Sequence, residues 1–109
     1  MEFKEGVKVD GISKEIINAM AITEAVLMDN FGYELTVTSV TDGTHKEGSK
    51  HYEGKAFDIR TWEFHEPGIQ LPKEEKEMIA GYLQDALGDD FDVVVERTHI
   101  HIEYDPEEI

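Results

Sequence analysis

Apolar residues recur at helical spacing over residues 14–30, where Ile16, Ile17, Met20, Val26 and Leu27 fall near one side of a 3.6-residue repeat. Ser13 precedes this run as a side-chain cap, Glu15 sits in the first turn, and Gly32 stands where a helix would stop. The period then changes. Residues 34–40 (ELTVTSV) alternate and are β-branched, which predicts a strand, and residues 41–50 (TDGTHKEGSK) form a polar, glycine-punctuated loop. A second strand is predicted over 55–61 (KAFDIRT), followed by a long connection, 62–72, with Pro67-Gly68 in its middle.

After Pro72, residues 73–87 carry Met78, Ile79, Tyr82, Leu83, Ala86 and Leu87 on one side, with acids in the first turn and Gly88 after the end. Two strands finish the chain, 91–96 (FDVVVE) and 99–104 (HIHIEY), joined by Arg97-Thr98 in a link short enough for a hairpin. Residues 1–12 are short and mixed and end in the turn signal Asp10-Gly11. The order helix, two strands, helix, two strands predicts an α+β fold: one small domain over residues 1–109, with an antiparallel sheet packed against helices.

The length, 109 residues, leaves room for one modest core. No apolar run approaches the ~20 residues of a membrane helix. Met1 is followed by Glu2-Phe3-Lys4-Glu5, neither basic nor apolar. No secretory signal is expected, and synthesis in the cytoplasm with later release toward a cell wall is the expectation. There is no cysteine, so a metal site must use His, Asp or Glu. Ten basic residues against 25 acidic ones give a net charge of −15, a field that opposes binding to nucleic acid or anionic membranes. Solubility accounts for much of that charge, and calcium is a second candidate use, because hard cations take oxygen ligands.

The five histidines are His45, His51, His65, His99 and His101. Alternation puts His99, His101 and Glu103 on one face of the last strand and Ile100, Ile102 and Tyr104 on the other. His51 precedes Asp58 across Gly54, a residue that permits a tight turn, and Phe57 and Ile59 flank Asp58 on the opposite strand face. Catalytic zinc takes three nitrogen or oxygen ligands and leaves a fourth position open. His51, Asp58 and one of the two final histidines would make that set.

The segment Ser49-Lys50-His51-Tyr52-Glu53-Gly54-Lys55-Ala56-Phe57-Asp58 has the form S-x-H-x-x-G-x-A-x-D. With His99-Ile100-His101 downstream, it resembles the zinc peptidase group of lysostaphin-type enzymes, D-Ala-D-Ala metallopeptidases and the Hedgehog signalling domain, and is most similar in wording to the Hedgehog domain and its bacterial and phage relatives. The resemblance spans roughly residues 35–104 and implies a zinc metallopeptidase acting on peptidoglycan peptides; a monomer is expected. It implies that His51, Asp58 and His101 hold zinc, that Glu96 handles the proton as general base, and that His99 and His45 stand beside the metal and steady the oxyanion. A different register, the E-x-x-H of some relatives, makes Glu96 the base and His99 the ligand, with His101 secondary.

Carboxypeptidase members commonly carry an arginine near the strand before the motif. Here Ser39-Val40-Thr41 stands in that region, and Arg60 and Arg97 are the chain's two arginines. That departure weighs toward an endopeptidase. The second reading is a non-catalytic, Hedgehog-like zinc module that binds partners, with Asp42, Glu47 and Glu53 as candidate calcium ligands. Trp62, Phe64 and Tyr104 are candidates to line a substrate groove.

Overall fold

A computed structural model describes residues 1–41, 53–62, 64 and 66–106. His45, His51, His65, Asp42 and Glu47 lie outside the described residues. Five strands and two helices follow in chain order: β1 (Glu2–Phe3), α1 (Lys14–Phe31), β2 (Thr36–Ser39), β3 (Ala56–Arg60), α2 (Lys73–Leu87), β4 (Phe91–Val95) and β5 (His99–Tyr104). They build one sheet in the order β1-β2-β3-β5-β4. The α+β expectation holds. The wholly antiparallel sheet does not, because β1 pairs with β2 in parallel. Two residues carry too little alternation to register as a strand. Their pairing comes from the neighbour, through Glu2 N to Leu35 O and Lys4 N to Val37 O, both 2.8 Å.

The helix bounds follow from local chemistry. Ser13 Oγ accepts from Ile16 N at 3.3 Å, and Gly32 ends α1 with φ +70°, a left-handed conformation that favours glycine. Three adjacent apolar pairs divide in the same way. Ile16, Ile79 and Leu83 are buried, while Ile17, Met78 and Tyr82 are exposed. Consecutive residues sit about 100° apart around a helix, so only one of each pair faces the sheet.

Both helices cover one face of the sheet. Their Ile16, Ala19, Met20, Leu27, Ile79 and Leu83 join Val37, Phe57, Ile59, Ile100 and Ile102 in one core. Each fully buried aliphatic or aromatic side chain contributes roughly 1.5–3 kcal/mol. Gln84 ties α2 to β4 through two bonds and closes the helix's own C-terminus with a third: Nε2 donates to Phe91 O (2.7 Å) and Gly88 O (3.0 Å), and Oε1 accepts from Val93 N (3.2 Å). Lys76, buried in α2, donates from Nζ to Arg97 O at 2.8 Å and so holds the β4–β5 turn. A side chain on that turn is thereby anchored from beneath.

Gly54 anchors the strand that carries Asp58. Its φ is +69°, its carbonyl accepts from Ser13 N at 2.9 Å, and an added Cβ would lie 2.8 Å from the Gly11 carbonyl carbon and closer still to its oxygen. The start of β3 is thus pressed against the start of α1 with no room for a side chain. Gly54→Ala should lower unfolding free energy by about 2 kcal/mol or more, through left-handed strain plus backbone clash. Gly6→Ala, with φ +89° but nothing within 4 Å, should show only the strain. Urea denaturation of the two variants checks this, and equal losses would contradict the close-approach account.

Candidate metal centre on the polar sheet face

Opposed residues on antiparallel strands share a face, so the register of β3, β5 and β4 lays out the second face of the sheet in rows. Asp58 stands opposite His101, which stands opposite Val94; Ala56 stands opposite Glu103, which stands opposite Asp92. Arg60 stands opposite His99. Glu96 N donates to His99 O at 2.8 Å, which extends the β4–β5 register by one pair and adds Glu96 to that row. A register shift in β2 between Val37 and Ser39 falls beside Asp58, and Thr38 Oγ1 donates to Asp58 O at 3.4 Å. Such irregularities re-aim side chains next to sites.

Asp58 is the centre of the arrangement. It is only 8% exposed, with Phe57 and Ile59 turned into the core on either side. Its Oδ1 lies 2.9 Å from His101 Nδ1, and its Oδ2 lies 3.8 Å from His99 Nε2. The other nitrogen of His101, Nε2, lies 2.9 Å from Glu103 Oε1. Thr98 Oγ1 is 3.3 Å from His99 Nδ1. One carboxylate therefore faces two imidazoles, and a second carboxylate backs the more buried of them.

This environment sets the charge of His101. The hydrogen bond that His101 donates to Asp58 is the largest influence and raises its pKa above the ordinary 6.5; burial works the other way, and Glu103 adds to the rise. With both ring nitrogens against carboxylates, the protonated ring of His101 can donate at both ends. A metal ligand must be neutral at the coordinating nitrogen. Uptake of an ion at Nδ1 would displace that proton and leave Nε2–H on Glu103, the carboxylate–histidine pairing that commonly orients such ligands.

Asp58 is within ion-pair reach of each imidazole, but Asp58, His99 and His101 do not form a group whose donor atoms all lie within 4.8 Å of one another. Ligands about 2.0–2.1 Å from a tetrahedral ion lie about 3.3 Å apart, and the two Asp58–histidine separations, 2.9 and 3.8 Å, bracket that value. Among the described residues, the one group of three whose donor atoms all lie within 4.8 Å of one another is Asp92, Glu103 and Asp105, a carboxylate cluster at the far end of the same face. Of the acids expected to take calcium, Glu53 is described, exposed in the turn before β3.

The predicted site residues divide accordingly. Asp58, His99 and His101 come together, and Glu96 joins their face from the exposed strand end. Trp62 lines a cavity beside His99. Phe64 instead stacks on Tyr33, ring centroids 4.4 Å apart, and Tyr104 tilts against Phe91 at 5.2 Å. Glu103 is the partner that spacing alone did not assign, although the alternation H-x-H-x-E already put it on the histidine face. Comparison with models of known protein families finds none that matches this chain, and a search of curated proteins finds no matching relative.

The raised pKa has a sign that can be tested. A group protonated more readily when folded stabilises the fold fully below its unfolded pKa, near 6.5, and loses that contribution as pH rises through the folded value. In metal-free protein, the His101 ring resonance should titrate with a midpoint above 6.5, and Asp58→Asn should bring the midpoint down. Unfolding free energy, relative to His101→Gln, should fall as pH rises from about 6 through that midpoint. A midpoint at or below 6.5 would contradict the two-carboxylate environment.

Proposed function

We propose that the chain is a zinc metallopeptidase hydrolysing peptide bonds of bacterial peptidoglycan, in the manner of the Hedgehog and D-Ala-D-Ala peptidase group whose motifs it resembles. The observation that carries this reading is the 2.9 Å approach of Asp58 to His101, with Glu103 behind the imidazole and His99 on the other carboxylate oxygen. In this reading Asp58, His101 and His51 hold the metal. Of the two ligand registers, the Glu103 contact favours His101 over His99, because it fixes the ring and leaves Nδ1 for the ion.

When bound, zinc supplies Lewis acidity toward a carbonyl oxygen and lowers the pKa of a water. The protein's own groups do the rest. Glu96 takes the proton from the attacking water and returns it to the departing amine as the carbon–nitrogen bond breaks. His99 donates from Nε2–H to the carbonyl oxygen as it becomes anionic, a tautomer in which Nδ1 can accept from the Thr98 hydroxyl. In this reading His45 has the same supporting role.

Zinc titration calorimetry should give one ion per chain, lost in Asp58→Ala and His101→Ala. Zinc-replete protein should release new amino termini from purified peptidoglycan, and Glu96→Ala should lower that rate about 100- to 10,000-fold with zinc affinity unchanged. Stoichiometric zinc without cleavage at any pH would leave the partner-binding module, and absence of zinc would refute both.

A further inference from the structure

The two helices form a single layer on the sheet, so the side of each that points away from the core meets solvent. Helix patterning makes such a side polar. Here it holds large apolar side chains: Ile22 of α1 is 39% exposed, and Met78 and Tyr82 of α2 are 57% and 47% exposed. Apolar residues scattered singly over a surface are ordinary, whereas a contiguous group of them marks a place of contact.

Two contacts make this group contiguous. Tyr33, just past the end of α1, donates from its hydroxyl to Glu75 Oε1 in the first turn of α2. The Phe31 and Tyr82 rings meet edge to face with centroids 5.5 Å apart. Residues three and four apart share a helix face, so the side of α2 that carries Glu75, Met78 and Tyr82 faces α1. On α1, Ala21 and Met28 line a cavity with Met1 and Leu35, toward β1 and β2. Ile22 and Val26 flank the buried stripe on its other side and so face α2. The result is a groove with Ile22, Val26 and Phe31 on one bank and Met78 and Tyr82 on the other.

The rim of the groove is anionic. α1 carries no base after Lys14; in α2, Lys73 pairs with Glu77 at 3.8 Å, and Lys76 is buried with its ammonium on Arg97 O. Glu74 stands four residues before Met78, Asp85 three after Tyr82, and Asp29 three after Val26, so each acid borders an apolar bank. Neither helix has a base in its last turn, which leaves the negative end of each dipole without a cation from its own helix. We propose that this groove docks a basic amphipathic helix of a partner protein, independently of any peptidase activity on the opposite side of the sheet. The apolar side of the partner helix lies on Ile22, Met78 and Tyr82, and its lysines or arginines meet Glu74, Asp85 and Asp29. Methionine suits such a surface, because its unbranched side chain repacks easily. A second copy of this chain is the poorer occupant, since two chains that each carry a net charge of −15 repel.

The probe is an amphipathic helical peptide of leucine and lysine, about 15 residues long so that it matches the length of α2. Its analogue with glutamate in place of lysine is the control. Fluorescence anisotropy with the full chain should show saturable one-to-one binding of the lysine peptide, weakened by added salt, and no binding of the glutamate peptide. Met78→Gln and Tyr82→Gln should each weaken binding about fivefold or more. Met28→Gln, on the far side of α1, should leave it unchanged. Met78 is more than half exposed, so its variant keeps the test intact if Tyr82→Gln disturbs the ring of Phe31. Methyl NMR shifts on binding should appear at Met78 and Ile22 and not at Met28. No binding of the lysine peptide, equal binding of the glutamate peptide, or an affinity that Met78→Gln and Tyr82→Gln leave unchanged overturns the docking site. A dimer of the protein alone that Met78→Gln disperses would also overturn it, in favour of a second copy.

Discussion

Because opposed residues on paired antiparallel strands share a face, sliding β5 by one residue against β3 would send His99 and His101 toward the helices and Ile100 and Ile102 into water. The core prevents that slip. Phe57 opposes Ile102 and Ile59 opposes Ile100, all four fully buried, and exposing the two isoleucines of β5 would forfeit roughly 1.5–3 kcal/mol apiece. The same register that buries four apolar side chains sets Asp58 against His101 on the reverse side of the sheet. Chemistry on one face is thereby held by packing on the other.

Around that register, small local devices keep the polar face in place. Gly54 lets β3 begin in contact with Gly11, Lys76 reaches from α2 to the carbonyl of Arg97, and Gln84 secures the start of β4. Glu103 then fixes the ring of His101, and Thr98 faces that of His99. A buried carboxylate such as Asp58 is tolerated because both its oxygens face imidazoles. Removing either imidazole leaves a partly compensated charge, so these residues are coupled and substitutions among them will not be additive.

Much of this was legible in the chain itself. Lys73–Leu87 and His99–Tyr104 were bounded by period and by glycine and proline punctuation, and the alternation around Asp58 and His101 correctly separated a core face from a polar one. Non-local features were not legible. Glu2–Phe3 is too short to carry a pattern, so the parallel pairing that brings in Lys4 left no local signal. Strand order was equally silent, because β3 meets β5 across a helix and an intervening strand. Helical spacing marked a stripe but did not tell Ile16 from Ile17 or Ile79 from Met78; that choice belongs to the tilt of each helix on the sheet. Arg60 was visible as a residue but not as the neighbour of His99, a fact that only the β3–β5 register supplies.

The claim at the centre is that Asp58 and His101, aligned by that register, share one metal ion. X-ray absorption at the zinc edge of protein carrying one equivalent of zinc tests it most directly. The account predicts nitrogen and oxygen ligands near 2.0 Å, with outer-shell scattering from two imidazoles, a signature lost in His101→Gln. A spectrum showing only oxygen ligands, or one unchanged by His101→Gln, would contradict it.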